Sequence, residues 1–226
     1  MNNRPTIWEK LGAASGLWAA LWIGIHYVIL RGTRADAHAA DSEFVRLLLG
    51  ERMQWEWVTF LRILGGLMIV WFMGSLVTRL RLAEGGSGRL ATIAGCVGTL
   101  WGGIWLLSAL FNSASISLAA TYGDPMGARL AGVLARQSIA VLSPPIVFAL
   151  SLTTWYVAAR FGGFPKAYTG VMFVLTVAFL ILAVVEWYGP GNLNPIIMIL
   201  ALVWLSLTSA FLVPASPMSD PVPAGR

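Results

Sequence analysis

Lysine is almost missing from this sequence. Only Lys10 and Lys166 occur, and both lie at the ends of apolar runs. No lysine stands at mid-membrane depth, which excludes a retinal Schiff base. Cysteine is scarcer still. Cys96 is alone, so no internal disulfide, CxxC pair or Cys/His metal spacing exists. Its place inside an apolar run suggests a small buried packing residue. Histidine is limited to His26 and His38, and His38 falls in a loop, which excludes a bis-histidine haem within a helix bundle. No HExxH or GxSxG is present, and GGSG at 85–88 lacks the GKS or GKT that a phosphate-binding loop needs. Catalytic motifs are therefore absent from the sequence, and an intramembrane enzyme ranks third among the readings.

Charge is also sparse. Only 11% of residues are charged, where a soluble domain runs near a quarter, and mean hydropathy is +0.75. The net charge of +5 resides in short loops between apolar runs, a pattern of membrane orientation and not of nucleic-acid binding.

Apolar runs are what the chain has instead. A helix needs ~20 such residues to cross the hydrocarbon layer. Six runs qualify, at about 9–30, 55–78, 90–119, 130–159, 167–188 and 195–213. The expected fold is an all-α transmembrane bundle over residues 1–213, with a polar, proline-rich tail at 214–226 expected to be disordered. The first run follows Arg4 and Lys10 and precedes ADAHAA at 35–40, which resembles a cleavage site. Its length exceeds the 7–15 residues of a signal core, so a retained anchor is expected. The loop at 31–54 contains DSEFVRLLLGERM, where Asp41 and Ser42 can cap a short helix on the bundle top or the membrane surface.

Orientation is expected to place both termini in the cytoplasm of a bacterial inner membrane. Loops 79–89 and 160–166 are short and basic, with Glu84 their sole acid, whereas the opposite side mixes arginines with Asp36, Asp41, Glu43, Glu51, Glu56, Asp124 and Glu186. No internal repeat is visible, so an inverted-repeat transporter is not indicated.

Small residues recur at four-residue spacing: Gly12, Gly16, Ala20 and Gly24 in the first run, and Ala94, Gly98 and Gly102 in the third. Such stripes allow close helix contact. They serve either packing within one chain, which is favoured, or a homo-oligomer face; contact with other membrane subunits stays open beside the lipid bilayer.

Ionisable groups at membrane depth are costly, and each is a candidate site. His26, Glu56, Arg62, Arg136 and Glu186, with Ser108, Asn112, Ser115 and Gln137, all fall in the outer half. Arg62 lies six residues beyond Glu56, ~9 Å along the axis and ~120° around it, so the two do not share a face. Glu56 matches Arg52 one turn earlier. Three readings of Arg62 stand open: snorkelling to headgroups, a structural bridge to Glu186 aided by Asn112, or a ligand site. Arg136 shares these readings, Glu186 suits an interface, and His26 suits a proton relay, an axial ligand or a hydrogen-bonded interface residue. A ligand site would comprise Arg62, Arg136, Glu186, His26 and Asn112. No cofactor is indicated.

With its long loop after the first run and the turn RLRLAEGGSGRLATIA at 79–94, the chain resembles a group of uncharacterised bacterial multi-pass membrane proteins from high-GC organisms. That resemblance implies a topology and no chemistry. The leading functional expectation is a non-enzymatic accessory or scaffold component. The second is a small transporter or sensor that binds a polar or anionic ligand in an outward-facing pocket.

Overall fold

The computed structural model describes residues 7–33, 40–188 and 194–213, with the side chains of 186–188 and 194 excepted. The tail at 214–226, the ADAHAA segment, except Ala40, and the Glu186 side chain fall outside that set. The elements are α1 (Ile7–Arg31), α2 (Asp41–Gly50), α3 (Arg52–Glu84), α4 (Arg89–Ser117, closed by a π turn at Leu118–Tyr122), α5 (Pro125–Phe161), α6 (Lys166–Tyr188) and α7 (Asn194–Leu212). No strand occurs among the described residues. Among the described residues, six of the seven helices are long and apolar enough to cross a membrane, and α2 is the exception.

The surface is inverted relative to a soluble domain. Leu17, Leu67, Leu100, Leu110, Val174 and Ile181 are exposed, while Ser15, Ser108, Asn112, Ser151, Thr154 and Thr208 are buried. Apolar groups face outward only where the solvent is lipid. The chain is a multi-pass membrane protein in contact with a bilayer.

The six long helices form a closed ring. Each packs on its neighbour in sequence, α1 on α3, α3 on α4, α4 on α5, α5 on α6, α6 on α7, and α7 returns to α1. Lipid offers little hydrophobic drive between helices, so close approach and hydrogen bonds hold this ring. At the α3–α4 seam, a Cβ on Gly66 would lie 2.9 Å from the Gly102 carbonyl oxygen, so the two backbones touch. Gly98 is filled by Met73. At α1, Gly12 faces Ser75 and Trp71, and Gly16 faces Phe72 and Ser209. Both small-residue stripes are thus occupied within one chain. The ring closes where Ser209 donates to the Ala13 carbonyl and accepts from the Leu17 amide at 3.2 Å. Ser151 meets Thr176 at 2.8 Å between α5 and α6, and Tyr168 meets Thr208 at 3.2 Å between α6 and α7.

Helix ends have local causes. Asp124 caps α5 by accepting from the Gly127 amide at 3.0 Å, with Pro125 opening the helix. Glu84 accepts from the Leu90 and Ala91 amides at 3.1 and 3.0 Å, so the only acid of the basic turn caps α4. Gly88, with φ +61°, allows the chain to double back there. Helix α5 is continuous through Pro144 and Pro145.

Helix α2 lies across the bundle end. Phe44 and Leu48 are buried with Trp55, Val58, Ile116 and Ala128. Its start differs from expectation: neither Asp41 nor Ser42 caps it, because Asp41 instead pairs with Arg129 of α5 at 2.7 Å. Cys96 differs too. It is exposed, because the seams of α4 run along Ala94, Gly98 and Trp101, leaving position 96 outward.

Candidate functional site: a buried polar cluster beneath α2

The α2 end gathers most of the polar residues singled out by depth. Positions 55, 58, 59 and 62 share one face of α3, and that face turns into the bundle. Trp55, Val58 and Arg62 are each at most 3% exposed. Antiparallel α4 presents Ser108 and Asn112 to it, α1 presents His26, and α5 presents Arg136.

Arg62 is 1% exposed, which overturns snorkelling: its head is inside the bundle and not at the lipid surface. Its hydrogen bond runs from Nη1 to the Ser108 carbonyl at 3.4 Å, and its Nε is buried without a partner. No carboxylate balances it among the described residues, none of whose Asp or Glu is buried. Glu56 is committed to Arg52 at 2.7 Å on the exposed rim, as the helical spacing requires. Arg136 adds a second positive charge within Coulombic reach of Arg62, with its guanidinium 5.6 Å from the Trp55 ring centroid.

His26 is 1% exposed and reaches the Val58 backbone carbonyl, while its Nδ1 is buried and unpartnered. The imidazole stands edge-to-face with Trp105 at 5.5 Å and Tyr27 at 5.2 Å. This burial keeps the His26 side chain from contact with lipid headgroups.

Asn112 does not contact Arg62 as expected. Its Nδ2 donates to the Thr59 hydroxyl at 2.6 Å and the Trp55 carbonyl at 3.2 Å, which clamps α4 to α3. Ser115 donates to the Ala128 carbonyl at 2.7 Å, and Ser108 to the Ala135 carbonyl, which clamp α4 to α5. Gln137 is exposed. Asn112, Ser108 and Ser115 therefore frame the cluster, and Arg62, Arg136 and His26 are its charged or titratable members.

Depth in the sequence did not reveal the tryptophans. Trp55, Trp101, Trp105 and Trp204 are at most 3% exposed, and each Nε1 is buried without a partner. Helical spacing alone carries a signal: Trp101 and Trp105 share the inward stripe that holds Ser108 and Asn112. No three His, Cys, Asp or Glu among the described residues could hold a metal ion.

No family model, curated protein or solved structure matches this chain.

Proposed function

We propose that this membrane protein binds an anionic ligand in the cluster beneath α2, as a transporter or sensor and not an enzyme. The observation that carries this reading is Arg62: a guanidinium 1% exposed, with one long hydrogen bond and an unpartnered Nε. A buried, uncompensated charge costs several kcal/mol. An anion drawn to Arg62 offsets that cost. Trp55 Nε1 and His26 Nδ1 are buried and unpartnered on the same inward faces and add neutral hydrogen-bonding capacity.

An accessory or scaffold role requires these groups to be paired and dry. The frame residues Asn112, Ser108 and Ser115 suit that role, and Arg62 and His26 do not. The orientation that fits is cytoplasmic termini in a bacterial inner membrane, supported by the basic turns at 79–89 and 160–166. The site then faces outward.

The test is the unfolding temperature of the purified protein in chloride, nitrate, acetate and phosphate at equal ionic strength. A site occupied at a hundred times its dissociation constant stabilises by about 2.7 kcal/mol. Equal melting in all four salts, or a salt effect retained by Arg62→Met, overturns the reading.

A further inference from the structure

The start of α3 has an outward face as well as the inward one that carries Arg62. Positions 53, 56, 57 and 60 follow three- and four-residue spacing and share that outward face. Trp55, Val58 and Arg62 lie on the other, buried face. Met53, Glu56, Trp57 and Phe60 are exposed, and they are the described residues that line a surface cavity of about 270 Å³. Sites for drug-sized ligands run about 300–1,000 Å³, so this cavity suits a small polar head and not a whole extended ligand.

Two kinds of recognition meet there. Arg52 Nε donates to Glu56 Oε1 at 2.7 Å, and both side chains are at least half exposed. That contact uses one of five guanidinium N–H groups and one carboxylate oxygen. The Nη donors of Arg52 and the Oε2 of Glu56 can therefore take a second pair of opposite charges. Beside them, Trp57 and Phe60 stand edge-to-face, with ring centroids 5.8 Å apart. Aromatic faces attract cations, tryptophan most strongly.

Beyond the cavity the same face of α3 is apolar. Ile63, Leu67 and Trp71 continue it, and all three are exposed. From Phe60 to Trp71 is ~16 Å along the axis, about half of the ~30 Å hydrocarbon core. The apolar stripe is thus about as long as one leaflet is deep. A charge pair above such a stripe complements a zwitterionic phospholipid, with its phosphate toward Arg52, its ammonium toward Glu56 and the rings, and a tail along the stripe.

Hydrogen bonding selects the headgroup. An ionised carboxylate only accepts, and a primary ammonium offers three donors. A quaternary ammonium offers none. An anionic headgroup without an ammonium places like charge against Glu56.

We propose that the cavity at the start of α3 binds the headgroup of phosphatidylethanolamine, held by Glu56, Trp57 and Arg52. This site is separate from the Arg62 cluster, and neither reading requires the other.

The experiment is native mass spectrometry of the full chain in detergent, titrated with phosphatidylethanolamine, phosphatidylcholine and phosphatidylglycerol of identical acyl chains. Melting of each variant in the same detergent checks its fold. The wild type is expected to bind phosphatidylethanolamine about threefold or more tighter than either other lipid, the scale of exposed ionic and cation–π contacts. Glu56→Gln keeps the size of the side chain and removes its charge, and should bring the ratio to about one. Trp57→Leu should weaken phosphatidylethanolamine binding about two- to fivefold, and it carries the test where Glu56→Gln misfolds. Equal binding of the three lipids by the wild type overturns the proposal. Tighter phosphatidylcholine binding also overturns it, because the rings would then select without the carboxylate. Tighter phosphatidylglycerol binding overturns it too, because Arg52 would then select alone. A preference kept in full by folded Glu56→Gln, or by Trp57→Leu where that variant carries the test, places the lipid elsewhere and overturns the site.

Discussion

The Arg62 guanidinium meets the Ser108 backbone carbonyl of α4 at 3.4 Å, and no carboxylate stands behind it among the described residues. The carboxylate six residues earlier on the same helix, Glu56, is held at the rim by Arg52. A cation is thus stationed in the bundle interior with its hydrogen-bonding capacity largely unused.

Removal of that charge should help the empty protein and abolish its response to anions. Replacement of buried charges by apolar residues of similar volume is often neutral or stabilising by about 1–4 kcal/mol. Arg62→Met is expected to match or exceed the wild type in unfolding free energy in gluconate, and to lose the chloride-dependent gain. Arg62→Lys retains a charge and should retain part of the gain. Unfolding in graded SDS, with and without chloride, measures both.

The Asn112 clamp is structural, and its loss should appear in stability alone. Interhelical hydrogen bonds in membranes contribute about 0.6 kcal/mol on average and reach about 1.7. Asn112→Leu removes bonds to Thr59 and Trp55, so a loss of about 1–2 kcal/mol is expected. In the double variant with Thr59→Val, the two losses should not add, because both remove the same 2.6 Å contact. An additive cycle in the same SDS titration would show that the clamp is not formed.

Glycines on α3 and α4 should divide sharply by position. Gly66 touches the Gly102 backbone, whereas Gly103 and Gly74 have nothing within 4 Å of a built Cβ. Gly66→Val forces the α3–α4 seam apart and is expected to cost about 3 kcal/mol or more, at the upper end of overpacking. Gly103→Ala and Gly74→Ala should be neutral or stabilising by up to about 1 kcal/mol, from helix propensity. Melting temperatures of the purified variants decide this.

Glu84 is expected to matter as a cap. It accepts two amides at the start of α4, where the helix dipole favours negative charge. Glu84→Ala should cost about 1 kcal/mol and Glu84→Gln less, since the amide oxygen still accepts. Hydrogen exchange at the Leu90 and Ala91 amides should accelerate in Glu84→Ala and leave the α2 end unchanged.

Much of the fold is legible without coordinates because lipid imposes a simple rule: backbone groups must be satisfied within each crossing segment, so long apolar runs are helices. The Arg52–Glu56 pair and the separate face of Arg62 follow from 100° per residue. The close approach at Gly66 follows from its size. Asn112 bonds to Thr59 and Trp55 and not to Arg62, because position along a helix does not say which neighbour lies across the seam. The four buried tryptophans are not legible from composition, which cannot separate an indole at a headgroup from one pointing inward.

The sequence by itself determined the class of protein and the six apolar helices, because those depend on local composition and on a fixed rise per residue. Only the tertiary structure decided that the helices close into a ring, that both glycine stripes are used within one chain, and that Arg62 is sealed inside and not bent up to lipid. Those outcomes depend on which faces meet. That is set by the summed fit of side chains from helices far apart in the chain, such as Ser209 against Ala13, and no single segment contains it.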